Sequence, residues 1–104
     1  MLNEVNDLNF EDEVIKQNGT VLVEYYSNSC MPCKRLLPKL ENVASRQLSG
    51  KIVKVNVETN FESSMRNMVR TIPTIVVYKD GEVVDAFRGC SQMSEEDIAS
   101  LIEA

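Results

Sequence analysis

Apolar residues in this chain fall into short runs whose period changes from one run to the next. Val21-Leu22-Val23-Glu24-Tyr25-Tyr26 is a run of strand length rich in β-branched and aromatic residues, followed by a polar bend at Ser27-Asn28-Ser29. Apolar positions then recur at Cys33, Leu36, Leu37, Leu40, Val43, Ala44 and Leu48, the three-or-four spacing of one buried helical face. A helix is expected from Met31 to about Leu48, with Pro38 removing one internal hydrogen bond and kinking it, and with Ser49-Gly50 ending it. Ile52-Val53-Lys54-Val55-Asn56-Val57 alternates as a strand does. Thr74 to Tyr78 is a continuous apolar run suited to a sheet covered on both faces. Asp80-Gly81 is a hairpin signal, and Glu82 to Arg88 returns as the antiparallel partner.

The remaining segments carry weaker patterns. Leu2 to Asp7 reads as an edge strand. Asn9 is placed to cap a helix from about Phe10 to Gln17, with Glu11, Asp12 and Glu13 in its first turn and Gly19 as its stop. Phe61, Met65, Met68 and Val69 read as one face of a short helix, with Met65 and Met68 as core filler. Ser94-x-x-Asp97 resembles a capping box ahead of a terminal helix whose inner stripe is Ile98, Leu101 and Ile102. The order β-α-β-α-β-α-β-β-α makes an α/β fold with helices in two layers around a mixed sheet. No linker, repeat or low-complexity segment divides residues 1–104, which are expected to form a single domain.

Composition narrows the function classes. The formal net charge of −5 argues against nucleic acid or an anionic membrane as partner. No apolar run approaches the ~20 residues that span a bilayer. The N-terminal stretch carries acidic residues and no Lys or Arg, unlike a secretory signal, so a cytoplasmic location is expected, although a mature form with its leader removed would read identically. Three cysteines do not make a disulfide framework, and in a reducing compartment a close pair is catalytic or metal-binding more often than structural. The chain has no histidine, which removes Cys–His catalysis and every His-containing zinc site.

The chemistry then concentrates at Cys30-Met31-Pro32-Cys33. Two thiols one helical turn apart can close a small disulfide ring. The leading thiol lies where backbone N–H groups have no intrahelical acceptor and the helix dipole is positive, an environment that favours the nucleophilic thiolate. Pro32 fits the first helical turn, where its missing N–H belongs to an orphaned position. A permanent disulfide and half of a metal site are the alternatives.

Over essentially its whole length the chain resembles the thioredoxin family. Val21 to Tyr26 is similar to the family's central strand, and Cys30-Met31-Pro32-Cys33-Lys34 stands in the place of its Cys-Gly-Pro-Cys-Lys. Pro38 matches a helix proline, Lys54-Val55-Asn56-Val57-Glu58 the next strand and its exit, and Thr71-Ile72-Pro73-Thr74 a loop with a cis-proline. Lys79-Asp80-Gly81-Glu82-Val83 matches the hairpin and Gly89 a loop glycine beside the active site. The departures are Ser29 for the usual tryptophan, Met31 for glycine, and Glu24 for the buried aspartate; there is no tryptophan anywhere.

The resemblance implies a thioredoxin fold, a central mixed sheet of about five strands flanked by four α-helices, and a protein-disulfide reductase needing no cofactor and no metal. Cys30 is expected to attack a substrate disulfide and Cys33 to resolve the mixed disulfide. Glu24 is expected to assist proton removal from Cys33, the alternative being that it reaches water or pairs with Lys54. Ser29, Met31, Ile72, Pro73, Gly89 and Cys90 are the expected substrate-binding positions, with the backbone of Ile72 pairing to an extended segment. Cys90 has three readings: an inert small residue, a site of intermolecular disulfide or regulatory oxidation, or a third sulfur ligand with Cys30 and Cys33. The implied partners are disulfide-containing proteins and a thioredoxin reductase, with a monomer expected and a Cys90-linked dimer as the exception. Competing functions are a dedicated electron donor to one reductase system, a non-redox interaction module, and a metal-bridged dimer.

Overall fold

A computed structural model describes residues 2–103. Five strands form one mixed sheet: β1 (Asn3–Glu4), β2 (Thr20–Tyr26), β3 (Lys51–Asn56), β4 (Thr74–Lys79) and β5 (Glu82–Arg88), in the order β1-β3-β2-β4-β5. β1 and β2 run parallel to β3, while β4 runs antiparallel to both β2 and β5. Four helices accompany it: α1 (Glu11–Ile15, one π-helical turn), α2 (Met31–Ala44), α3 (Phe61–Arg66) and α4 (Glu95–Glu103). This is the expected α/β thioredoxin-like architecture.

The central strand explains its own composition. β2 is covered on both faces, so an alternating polar pattern would bury polar side chains. Leu22 joins Leu36, Leu40 and Val43 of α2, Ile98 and Ile102 of α4, and Ile52, Ile75 and Val77 of the sheet in one buried cluster. Val21, Val23 and Tyr25 point the other way, into a second cluster with Val5, Phe10, Val14, Val53, Val55, Val76 and Tyr78. Removing water from these side chains is worth roughly 1.5–3 kcal/mol each.

The hairpin is fixed by backbone geometry. Asp80 and Gly81 both have positive φ, 50° and 83°, the pairing that a two-residue turn with matched strand twist demands. A Cβ on Gly81 would stand 2.1 Å from the Ile15 carbonyl oxygen, so α1 packs directly on the turn. β5 lies at the sheet edge and leaves Val83 and Val84 exposed.

Three expectations need correction. Asn9 does not cap α1: Asn6 does the local work, its Oδ1 accepting from the Leu8 and Asn9 amides at 2.9 and 3.0 Å, while Asn9 Oδ1 accepts from the Asn6 amide at 2.8 Å. The second helix stops at Ala44, short of Leu48, and Gln47 takes a positive φ of 56° in the turn that follows. Met65 and Met68 are not core filler: they are 55% and 62% exposed, and Phe61 is exposed beside them on the same short segment. The buried positions of α3 are Ser63 and Ser64. The reason is a tertiary one, because Asp7 accepts hydrogen bonds from the Ser63 hydroxyl and from the Ser63 and Glu62 amides, turning the serine face inward.

Candidate active site

The polar bend leaves β2 at its C-terminal end and delivers Cys30 to the start of α2. Cys30 is the N-cap residue, with extended backbone (φ −85°, ψ 107°), and Pro32 occupies the first turn where no N–H is needed. The Cys33 amide donates to Cys30 Sγ at 3.2 Å, so one orphaned helix donor already points at the outer sulfur. The two cysteines are disulfide-bonded, their Cα atoms 5.3 Å apart. They are unequally placed: Cys30 is half-buried, whereas Cys33 is 3% exposed on the inner face of α2. Opening this bond would leave an outer thiol in a field that favours its anion. The inner thiol would lie against the sheet.

Beneath that inner thiol is a buried acid. Glu24 is 1% exposed in the middle of β2, and its Oε2 has no hydrogen-bond partner among the described residues. Together with Cys33, Tyr26, Ser27, Asn28, Lys34, Leu37 and Lys54 it lines a cavity of about 190 Å³. Burial pushes the carboxyl up to about 7; the Lys54 ammonium pulls the other way, and Glu4 adds to the rise. Lys54 is the Cα partner of Glu24 on β3, yet among the described residues no ion pair closes between them. The pairing alternative for Glu24 is therefore not formed. A carboxyl that titrates near neutrality beside a thiol can take up or return a proton.

The other expected residues gather at the same end of the sheet. Tyr25 of β2 pairs with Thr74 of β4, and Thr74 pairs with Arg88 of β5, so the loops holding Pro73 and Gly89 start level with the bend that leads to Cys30. The Ile72–Pro73 peptide is cis. Cys90 donates its amide to the Pro73 carbonyl at 3.2 Å, tying the two loops together. Gly89 has a φ of 63°, which suits glycine, and faces outward. Lys39 of α2 donates to the carbonyls of Ser91 and Met93 at 3.3 and 3.0 Å, holding this loop against the helix.

Exposure separates these residues into surface and support. Ser29, Met31 and Gly89 are exposed and Ile72 is half-buried, while Pro73 and Cys90 are buried. Cys90 sits in the cluster between sheet and α2, with Sγ 3.6 Å from the Pro73 carbonyl, and burial pushes its thiol up to about 11. Of its three readings the inert one fits this geometry. An intermolecular disulfide needs an accessible thiol, and Cys90 is buried. Sequence reasoning gave Glu4 no role, although its register opposite Lys54 brings it to the rim of this site; a charged residue in an otherwise weak edge strand was the available signal.

Comparison with known proteins agrees with this geometry. A family model described as thioredoxin matches residues 1–104. A thioredoxin of Pseudomonas aeruginosa is 37% identical over 102 residues, covering 96% of this chain and 92% of its own. A thioredoxin of Staphylococcus saprophyticus is 39% identical over 101 residues, covering 95% and 92%. A thioredoxin of Rickettsia bellii is 36% identical over 105 residues, covering 99% and 94%.

Proposed function

The chain belongs to the thioredoxin family, and from that premise we propose how its residues divide the work. The protein is a thiol–disulfide oxidoreductase: it reduces protein disulfides through a Cys30/Cys33 dithiol–disulfide cycle and is itself returned to the dithiol by a reductase. In our reading Cys30, as thiolate, attacks one sulfur of the substrate disulfide. The other substrate sulfur leaves as a thiolate and takes a proton from water. Cys33 then passes its proton to the Glu24 carboxylate and attacks Cys30 Sγ. That step forms the Cys30–Cys33 bond, breaks the mixed disulfide and releases the second substrate thiolate. Two electrons have moved from the dithiol to the substrate.

The observation that carries this assignment is the inequality of the two sulfurs, one at the helix N-cap and the other buried one turn deeper beside Glu24. Pro32 keeps the start of α2 in the helical geometry that this inequality needs. Ser29, Met31, Ile72 and Gly89 form the contact surface around Cys30, with the Ile72 backbone available to an extended substrate segment and with Pro73 and Cys90 as buried support. We assign the chain as one domain working as a monomer in the reducing environment of the cytoplasm; among the described residues no helix is long and apolar enough to cross a membrane. Insulin-disulfide reduction tests the assignment. Cys30→Ser is expected to abolish turnover, and turnover that survived it would overturn the role of Cys30.

A further inference from the structure

Glu4 of β1, Lys54 of β3 and Glu24 of β2 are successive Cα partners, so one ammonium stands in a cross-strand row between two carboxylates. Strand spacing puts the two acids roughly 10 Å apart at the backbone. Lys54 closes an ion pair with neither of them among the described residues. Its Nζ lies instead 5.2 Å from the centroid of the Tyr26 ring, and the Tyr26 hydroxyl donates to Glu4 Oε2 at 2.6 Å. Tyr26, Asn28 and Lys54 wall both the cavity at Glu24 and an open cleft of about 700 Å³ outside it, and Glu4 lines that cleft.

We propose that Glu4 and Tyr26 are positioning residues, which hold the Lys54 ammonium over the Tyr26 ring and so set how readily Glu24 gives up its proton. The tyrosine hydroxyl engages Glu4 and keeps that carboxylate from drawing Lys54 outward. The ring, made more electron-rich by donating to an anion, holds the cation by its face. Glu24 is then left with a cation near it and out of contact. The other titratable groups facing Glu24 are Cys33 and Lys34 of α2, and Cys90 in the loop before α4. β4 contributes only Ile75 at this level. The proposal rests on Glu24 as the proton acceptor, but its test can fail separately.

The Glu24 carboxyl can be followed by carbon NMR in the oxidised protein, its signal assigned by its loss in Glu24→Gln. Glu4→Gln removes a like charge and is expected to lower the Glu24 midpoint by about 0.3–0.6 pH unit. Tyr26→Phe keeps the ring but frees Glu4 to draw Lys54 away, and is expected to raise the midpoint. Midpoints unchanged in both variants would overturn the proposal. A shift in Glu4→Gln alone would overturn it too, leaving Glu4 as a background charge with no positioning partner. The pH profile of mixed-disulfide resolution should move with the carboxyl midpoint. If the midpoint moves as expected and the rate profile does not, the placement of Lys54 stands and the proton-acceptor role of Glu24 falls.

Discussion

Asp7 and Ser63 lie 56 positions apart in the chain, and the carboxylate of one accepts both the amide and the hydroxyl of the other. This contact caps α3 with a residue from outside it and decides which face of α3 is buried. Asp7→Ala is expected to cost about 1–2 kcal/mol, the usual value of a lost helix cap. Hydrogen exchange should place the loss locally, with the Ser63 and Ser64 amides losing protection before the central strands. For Asp7, burial raises the pKa, but the hydrogen bonds from Ser63 and Glu62 and the charge of Arg66 outweigh it, so the net displacement is downward. The contribution of Asp7 is therefore complete above the ordinary aspartate range and fades as pH falls through the depressed value.

Gly81→Ala tests the hairpin. The substitution imposes a side chain at a φ of 83° and points its Cβ at the Ile15 carbonyl. A loss of about 2–4 kcal/mol is expected, combining backbone strain with displacement of α1. Urea denaturation measures it. Gly19→Ala shares the positive φ of 82° but meets nothing within 4 Å, so it should cost less.

Glu24 makes the folded state sensitive to pH in the opposite sense to Asp7. Its carboxyl rises from 4.5 to about 7 on folding, chiefly because burial disfavours the charge. Below the unfolded value both states hold the proton and the group is neutral in effect. As pH climbs from 4.5 toward 7, the unfolded chain loses the proton first and folding is progressively disfavoured. Above 7 the full penalty is in place, about 3 kcal/mol at 1.36 kcal/mol per pKa unit. Denaturation of the oxidised protein at pH 5 and pH 8 is expected to show this decline, and Glu24→Gln should flatten it.

Thiol reactivity should distinguish Cys30 from Cys90. In the reduced protein near neutral pH, iodoacetamide is expected to label Cys30 first. Cys90, buried and with its thiol pushed up to about 11, should react at least about a hundredfold more slowly until the chain unfolds. Mass spectrometry of the labelled peptides reads the order. Under native oxidising conditions no Cys90-linked dimer should appear on a non-reducing gel.

Much of this was legible because short-range rules decided it. Val21–Tyr26, Thr74–Tyr78 and the Asp80-Gly81 turn were readable from period and turn chemistry, and the cysteine pair from its spacing after a strand. The family pattern supplied the cis bond at Ile72–Pro73, which no local propensity requires. The failures occur where distant residues decide. The Phe61, Met65, Met68 pattern suggested one buried face, but Asp7 selected the other. Asn9 looked like a cap, but Asn6 was better placed to accept the Leu8 and Asn9 amides. The link from Glu4 to Tyr26 depends on strand register across β1, β3 and β2, which a linear reading does not contain.

The deeper position of Cys33 has a temporal meaning under the proposed cycle. A client protein caught by Cys30 is displaced from below, by a group already inside the molecule, so no diffusing reagent ends the encounter. Dwell time is then governed by how soon the inner sulfur sheds its proton rather than by how tightly the surrounding surface grips. In that cycle the buried carboxyl works as a clock: its setting decides whether the inner sulfur completes the reduction before the guest's own freed thiolate strikes back and undoes the capture.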